Sequence, residues 1–234
     1  MTNKKYIFFF LLIILTDANA TTIYDLLKKD MLIFDVGAHI GKKTEEYLDN
    51  GCDVVCFEPN PKNTTLLRKK FSNNSHVFIE QTAIGKEKGF ITLNICSSAD
   101  TISTCNQKWM TGRFINYIWD KKIDVPLTTL DAMIEKYGTP DFCKIDVEGF
   151  ELSVLEGLSC PLKYLSFEFT YEFVEDSLAC LKHLAKIGFN SFNIACGESP
   201  EFIFSKNQAA LTIINFIKKS SDKDLWGDIY AFTK

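Results

Sequence analysis

No apolar run in this chain approaches the roughly 20 residues that a membrane-spanning helix needs; residues 6–15 supply ten. A basic excess is also missing. The 26 Lys and Arg face 30 Asp and Glu, which argues against a nucleic-acid binder, because such a protein normally presents a basic face. Glycine (12) and proline (6) are too scarce for a collagen-like or low-complexity chain. With 46% hydrophobic and 24% charged residues the composition is that of a folded globular domain. There is no internal repeat and no long linker, so residues 21–234 are expected to form one domain with a continuous core. The eight cysteines contain no CxxC pair, which sets a structural zinc site aside.

What is present begins with residues 1–20. Lys4 and Lys5 precede the apolar run, and Ala18-Asn19-Ala20 closes the segment. A basic start, a short apolar stretch and an A-x-A site predict a secretory signal peptide, cleaved after Ala20. The protein would then enter the secretory pathway or be exported to a periplasm. The alternative is an uncleaved segment that anchors it to a membrane through residues 6–15. An exported chain permits disulfides, one or two of them, among Cys96, Cys105, Cys160 and Cys196. Cys56 and Cys143 lie in apolar runs and read as buried free thiols.

Short apolar runs alternate with helical patterns along the chain. Strands are expected at 31–36, 54–58 and 77–84, with helices at 42–50 and from Asn60 through Phe71. This βαβαβ order predicts a parallel α/β sheet. Residues 85–127 interrupt it with an extra strand at 90–95, a polar stretch, and an aromatic-rich stretch at 109–119. Alternation resumes with a helix at 129–137, a strand at 142–147, a helix at 150–158, a strand at 163–170 and a helix at 173–186 that Gly188 ends. A strand at 189–194, a helix at 211–218 and a closing strand at 228–232 complete the reading.

Four clusters carry chemistry. In residues 34–41 (FDVGAHIG) a strand ends on Asp35, and a turn with Gly37, His39 and Gly41 opens a helix. Glycines let a ligand approach the backbone, and a helix amino terminus offers free N–H groups. The glycines are spaced GxxxG, not the GxGxxG that holds a pyrophosphate, and Asp35 would repel a phosphate. A cationic or zwitterionic ligand fits better; the alternative is an ordinary βα turn. Glu58 ends the second strand, where ligands of open α/β sheets bind, and it can accept hydrogen bonds from both hydroxyls of a ribose. The alternative is a solvated carboxylate before Pro59. In residues 144–151 (KIDVEGFE), period-two alternation puts Lys144, Asp146 and Glu148 on one strand face. Buried charges without partners are costly, so the cluster is either functional or a structural ion pair. Glu168, between Phe167 and Phe169, is another isolated carboxylate at a strand end.

Residues 34–41, FEPNP (57–61), TAIG (82–85), TLD (129–131) and above all KIDVEGFELSVLEG (144–157) resemble the FkbM-type family of S-adenosylmethionine-dependent methyltransferases. The resemblance runs from about residue 31 to residue 170. It implies an α/β, Rossmann-like, seven-stranded methyltransferase sheet, mostly parallel with a C-terminal antiparallel strand and helices on both faces. It also implies that Asp35, Gly37, Gly41 and Glu58 hold S-adenosylmethionine, with Ala83 and Ile84 near the adenine; His39 is expected to join them, since it can donate or accept a hydrogen bond there. The family commonly has Asn where this chain has His39.

The expected activity is therefore methylation of a hydroxyl on a sugar or small natural product. Asp146 is expected to act as base or positioning group, with Glu148 and Glu168 in support. No metal is expected, since these carboxylates lack a dedicated His or Asp partner motif, although Asp146 and Glu168 are the pair a divalent ion would bridge. The partner is a small-molecule or glycan acceptor and not nucleic acid. Two other readings compete. A nicotinamide oxidoreductase would need the missing GxGxxG. A secreted, catalytically inactive binding protein would account for export away from an intracellular cofactor. Within 85–127, residues 97–106 are expected to cover the acceptor, with Ser103 and Thr104 touching it, and residues 109–119 to pack mostly as core, with Phe114, Tyr117 and Ile118 on one helix face.

Overall fold

A computed structural model describes residues 20–111 and 114–233. The expected signal peptide lies outside the described residues apart from Ala20. Among the described residues no helix is long and apolar enough to cross a membrane.

The main sheet contains β1 (Leu32–Val36), β2 (Asp53–Phe57), β3 (Val77–Glu80), β7 (Phe142–Ile145), β8 (Tyr164–Thr170), β9 (Ser191–Cys196) and β10 (Trp226–Phe232). Its strand order is β3-β2-β1-β7-β8-β10-β9. Only β10 runs antiparallel, to both of its neighbours. This is the seven-stranded arrangement expected. Its strands are apolar on both faces, as a covered parallel sheet requires. Along β1, Ile33 packs to one side while Phe34 and Val36 pack to the other. One face is covered by α1 (Lys42–Asp49) and α2 (Pro61–Lys70), through Tyr47 and Leu67. The opposite face is covered by α3 (Leu130–Tyr137), α4 (Glu151–Glu156), α5 (Val174–Ile187) and α6 (Ala210–Lys218).

Local chemistry sets several boundaries. The side chain of Asn60 accepts from the Lys62 N–H and Pro61 occupies the first turn, so α2 starts three residues after Glu58. Thr129 caps α3 through the Ala132 N–H, and Gly188 ends α5 in a left-handed conformation. Strand order reverses between β1 and β7, which opens a ligand crevice at their carboxyl ends.

Four expectations need correction. The strand expected at 77–84 is two strands: after β3 the chain leaves the sheet, and β4 (Ala83–Ile84) joins a second sheet with β5 (Gly89–Ile95) and β6 (Lys121–Thr128), in the order β4-β6-β5. Sequence reading missed β6 because Pro126 breaks the usual strand pattern. That proline is tolerated because β4 pairs with β6 only at Leu127 and Thr128. The strand expected at 142–147 ends at Ile145; Glu148 (φ 56°) and Gly149 (φ 86°) turn the chain in a left-handed conformation. The carboxylates of Asp146 and Glu148 therefore converge through a turn and not by strand alternation. Among its described residues the aromatic stretch forms no core helix. Trp109 is buried, and Phe114 packs at a tilt against it with ring centroids 5.1 Å apart, but Tyr117 is exposed and Ile118 is 73% exposed. Finally, all eight cysteines are free, so the expected bridges are not formed.

Candidate active site

Two cavities meet at the β1–β7 crevice. The smaller is built around Glu58, whose Oε2 accepts from the His39 N–H at 2.9 Å and whose Oε1 accepts from the Asn60 N–H at 2.8 Å. Each oxygen keeps a lone pair for a ligand hydroxyl. Burial pushes the carboxyl up to about 7, against the pull of those N–H groups and with a further push from Asp35. Ala83, Ile84 and Phe150 supply the apolar wall. Asn63 is buried in the same wall, and its Oδ1 has no partner. Such an orphaned acceptor awaits a donor.

The turn after β1 is shaped by close approach. A Cβ on Gly37 (φ +86°) would lie 1.8 Å from the Asp146 carbonyl oxygen. His39 also has a positive φ, 49°, a conformation that Asn and His enter more readily than most residues. Its Nε2 lies 3.2 Å from Asp100 Oδ1, and Lys62 binds the other oxygen of Asp100 at 2.9 Å. The inserted segment is thereby tied over the crevice. Gly41, expected to touch the ligand, lines neither cavity; a Cβ there would meet Phe71 at 2.6 Å and Leu67 at 2.8 Å, so its place is set by packing. Asp35 is buried and lines the larger cavity. Thr44 Oγ1 donates to it at 2.6 Å, and burial raises its pKa.

The larger cavity, about 420 Å³, reaches the acidic cluster. Lys144 is buried in β7, with Nζ 3.0 Å from Asp146 Oδ2 and 3.5 Å from Asp228 Oδ1. Burial alone would lower its pKa, but Asp146 and Asp228 outweigh it and hold the ammonium well above the usual lysine value. The ion pair that was the alternative for residues 144–151 thus exists, yet it engages only Asp146 of the cluster. Glu148 and Glu168 stand beside it, and burial, then the Asp146 charge, drives both carboxyls well above the ordinary glutamate range.

Several roles escaped sequence reading. Glu151 Oε1 accepts from the Val147 and Gly149 N–H groups at 3.1 and 3.2 Å, pinning the turn that carries Glu148. Thr104 Oγ1 donates to the Glu148 carbonyl at 2.7 Å, and Asn106 Nδ2 donates to the Gly149 carbonyl. Glu151 sits inside the 144–151 cluster, where its spacing could have revealed it. Thr104 and Asn106 carry no local signal. Of the two residues expected to touch the acceptor, Ser103 lines the Glu58 cavity with Asp100 and Thr101, and Thr104 bonds to the turn.

A family model described as the methyltransferase FkbM domain matches residues 35–205. The chain belongs to the FkbM methyltransferase family. The seven-stranded sheet is accordingly a Rossmann-like methyltransferase sheet, and S-adenosylmethionine is the cofactor. No curated protein matches the chain. Among solved structures, similar folds include a precorrin-6y C5,15-methyltransferase from Geobacter metallireducens (TM-score 0.48, 11% identity, covering 89% of this chain and 82% of that one). A TehB-like S-adenosylmethionine-dependent methyltransferase from Corynebacterium glutamicum has TM-score 0.45 and 11% identity, covering 91% and 85%. An Aeropyrum pernix fibrillarin with natively bound S-adenosylmethionine has TM-score 0.43 and 12% identity, covering 87% and 67%.

The residues of this FkbM chain fit the cofactor. Glu58 offers two free lone pairs for a ribose diol, Asn63 offers an orphaned acceptor, and Asp35 offers negative charge toward a cationic end. When bound, the cofactor supplies a methyl group on a sulfonium. Lys144 then serves as the counter-charge of the acid cluster. Lys144→Met is expected to lower stability by about 2 kcal/mol, below the usual cost of splitting a buried pair because Asp146 is partly hydrated. Its melting temperature should recover partly as pH falls, because the Asp228 carboxyl, already raised by burial, takes up a proton more readily once the ammonium is gone. An unchanged melting temperature at pH 8 would show that the pair contributes nothing.

Proposed function

We propose that this FkbM protein methylates a hydroxyl of a sugar or other small polyol, with Asp146 receiving the hydroxyl proton. The observation that carries the reading is the convergence of Asp146, Glu148 and Glu168 on a cavity adjoining the Glu58 pocket. In the transfer the C–S bond of the sulfonium breaks as the O–C bond forms, and the acceptor loses its proton. A carboxylate within hydrogen-bond reach of the hydroxyl can take that proton. Asp146 supports this role because its side chain is 38% exposed at the cavity while Lys144 holds it in place. Polar walls with Trp109 and Phe114 alongside suit a small ligand with hydroxyls and an apolar ring face. The insertion contributes to both cavities: Thr101 lines each of them.

The test is release of S-adenosylhomocysteine against a panel of sugars, polyols, amines and thiols. Hydroxyl acceptors should turn over, and Asp146→Asn should lower kcat by about 10²–10⁴ while changing cofactor affinity little. Equal turnover of amines, or an Asp146→Asn variant as fast as wild type, would overturn the proposal. Tight cofactor binding with no turnover of any acceptor would favour the inactive binding protein.

A further inference from the structure

We propose that Asp146, Glu148 and Glu168 form a site for a divalent cation of the magnesium or manganese class, which holds two neighbouring oxygens of the acceptor, with Asp146 ligating through one oxygen and keeping a lone pair of the other for the acceptor proton. The inference rests on the methyltransferase reading and narrows its substrate to a vicinal diol.

The geometry comes first. One carboxylate oxygen from each of the three residues lies within 4.8 Å of the other two. A magnesium ion takes oxygens at about 2.0–2.1 Å in an octahedron, so ligands on opposite sides stand roughly 4 Å apart. The three side chains are thus close to a coordination shell, and small side-chain torsions close it. They come from separate elements: Glu168 from β8, and Asp146 and Glu148 from the turn after β7 that Glu151, Thr104 and Asn106 hold.

Charge points the same way. The nearby cation is Lys144, which is shared between Asp146 and Asp228. Among the described residues no ion pair reaches Glu148 or Glu168. Three half-buried carboxylates share the one ammonium of Lys144; like charges this close repel one another, and a dication at their common focus would neutralise them.

An independent observation concerns unpartnered oxygens. Glu168 Oε2 is buried with no hydrogen-bond partner. Thr170 follows two residues later on the same face of β8, is 5% exposed, lines the same cavity, and its Oγ1 also has no partner. Orphaned buried oxygens are rare and call for a missing ligand. A hydrated cation supplies a bond to the first and a water to the second. The all-oxygen donor set, with no His or Cys, selects magnesium or manganese over zinc. Three protein ligands leave three open positions facing the larger cavity, enough for a chelating diol and one water.

The experiment titrates Mn²⁺ into the metal-stripped full chain, following free Mn²⁺ by electron paramagnetic resonance with and without S-adenosylmethionine. One ion per chain is expected, retained in the presence of cofactor. Glu168→Gln and Asp146→Asn should each weaken Mn²⁺ binding about tenfold or more while leaving cofactor binding intact. Mn²⁺ should raise the melting temperature of wild type but not of either variant; metal-free Glu168→Gln should melt no lower than wild type because it sheds one crowded charge, whereas metal-free Asp146→Asn also loses the Lys144 ion pair and should melt lower. Absent Mn²⁺ binding with intact cofactor binding overturns the cation site and spares the methyltransferase reading; loss of cofactor binding to wild type overturns both. Mn²⁺ displaced by cofactor, or bound equally well by both variants, also overturns the site.

Discussion

Gly37→Ala is expected to lower the melting temperature by roughly 10–15 °C and to abolish cofactor binding. Gly37 sits where β1 ends, with its N–H bonded to the Phe57 carbonyl at 2.9 Å while the Asp146 N–H bonds to the Val36 carbonyl. These bonds hold β2, β1 and the end of β7 in register at the crevice. An added Cβ would stand 1.8 Å from the Asp146 carbonyl oxygen, at a φ of +86°. Two backbones would have to part by more than 1 Å, roughly, to reach normal van der Waals separation, which disrupts both the register and the position of Asp146. Strain of this kind costs on the order of 4–5 kcal/mol, the upper end for one substitution, and each kcal/mol moves the melting temperature about 2–4 °C in a chain of this size. Gly197→Ala is the control. Its φ is also positive, +59°, but nothing lies within 4 Å of the built Cβ, so it should cost only about 1 kcal/mol. Thermal melts of the two variants decide the matter: if they fall by the same amount, contact with Asp146 is not what makes Gly37 necessary.

The same contact shows where sequence reading succeeds and stops. Apolar runs that end on Asp35 and Glu58 mark β1 and β2, because a strand buried on both faces leaves few other compositions available. The position of Glu58 at a strand end then follows from topology alone. The turn at Asp146–Gly149 is different. Glu148 adopts a positive φ that glutamate rarely takes, so period-two alternation carries the strand two residues too far. What holds that turn is remote: Thr104 and Asn106 come from about 44 residues earlier in the chain, and no local pattern announces them. The insertion was legible as an interruption but not as a sheet, since Pro126 hides β6. Its position over the Glu58 pocket depends on Asp100 meeting His39 and Lys62 across the crevice. The acid cluster was legible as residues, whereas its convergence needed β8 to lie beside β7.

Glu58→Ala should weaken S-adenosylmethionine binding at least about 100-fold, roughly 3 kcal/mol. The substitution removes the carboxylate that would receive the ribose hydroxyls, where each charge-assisted hydrogen bond contributes about 1.5–3 kcal/mol. It also strands the His39 and Asn60 N–H groups that the carboxylate now satisfies. The wild-type protein should show two opposed pH dependences from this one group. Its carboxyl stands at about 7 in the folded chain against an ordinary 4.5, so between those values the folded state binds more protons than the unfolded one. Stability from Glu58 is therefore lost as pH rises through this window, and the charge is a net cost above it. Cofactor affinity runs the other way. Only the ionised carboxylate keeps a free acceptor on both oxygens, so affinity should fall toward tenfold per pH unit below about 7 and level off above it. Glu58→Gln separates the two effects: it should flatten both profiles and bind cofactor weakly at every pH. Calorimetric titration from pH 5.5 to 8.5 gives the answer. A wild-type affinity independent of pH, or a Gln variant that binds as tightly as wild type at pH 8, would mean that the ribose hydroxyls are held by something other than Glu58.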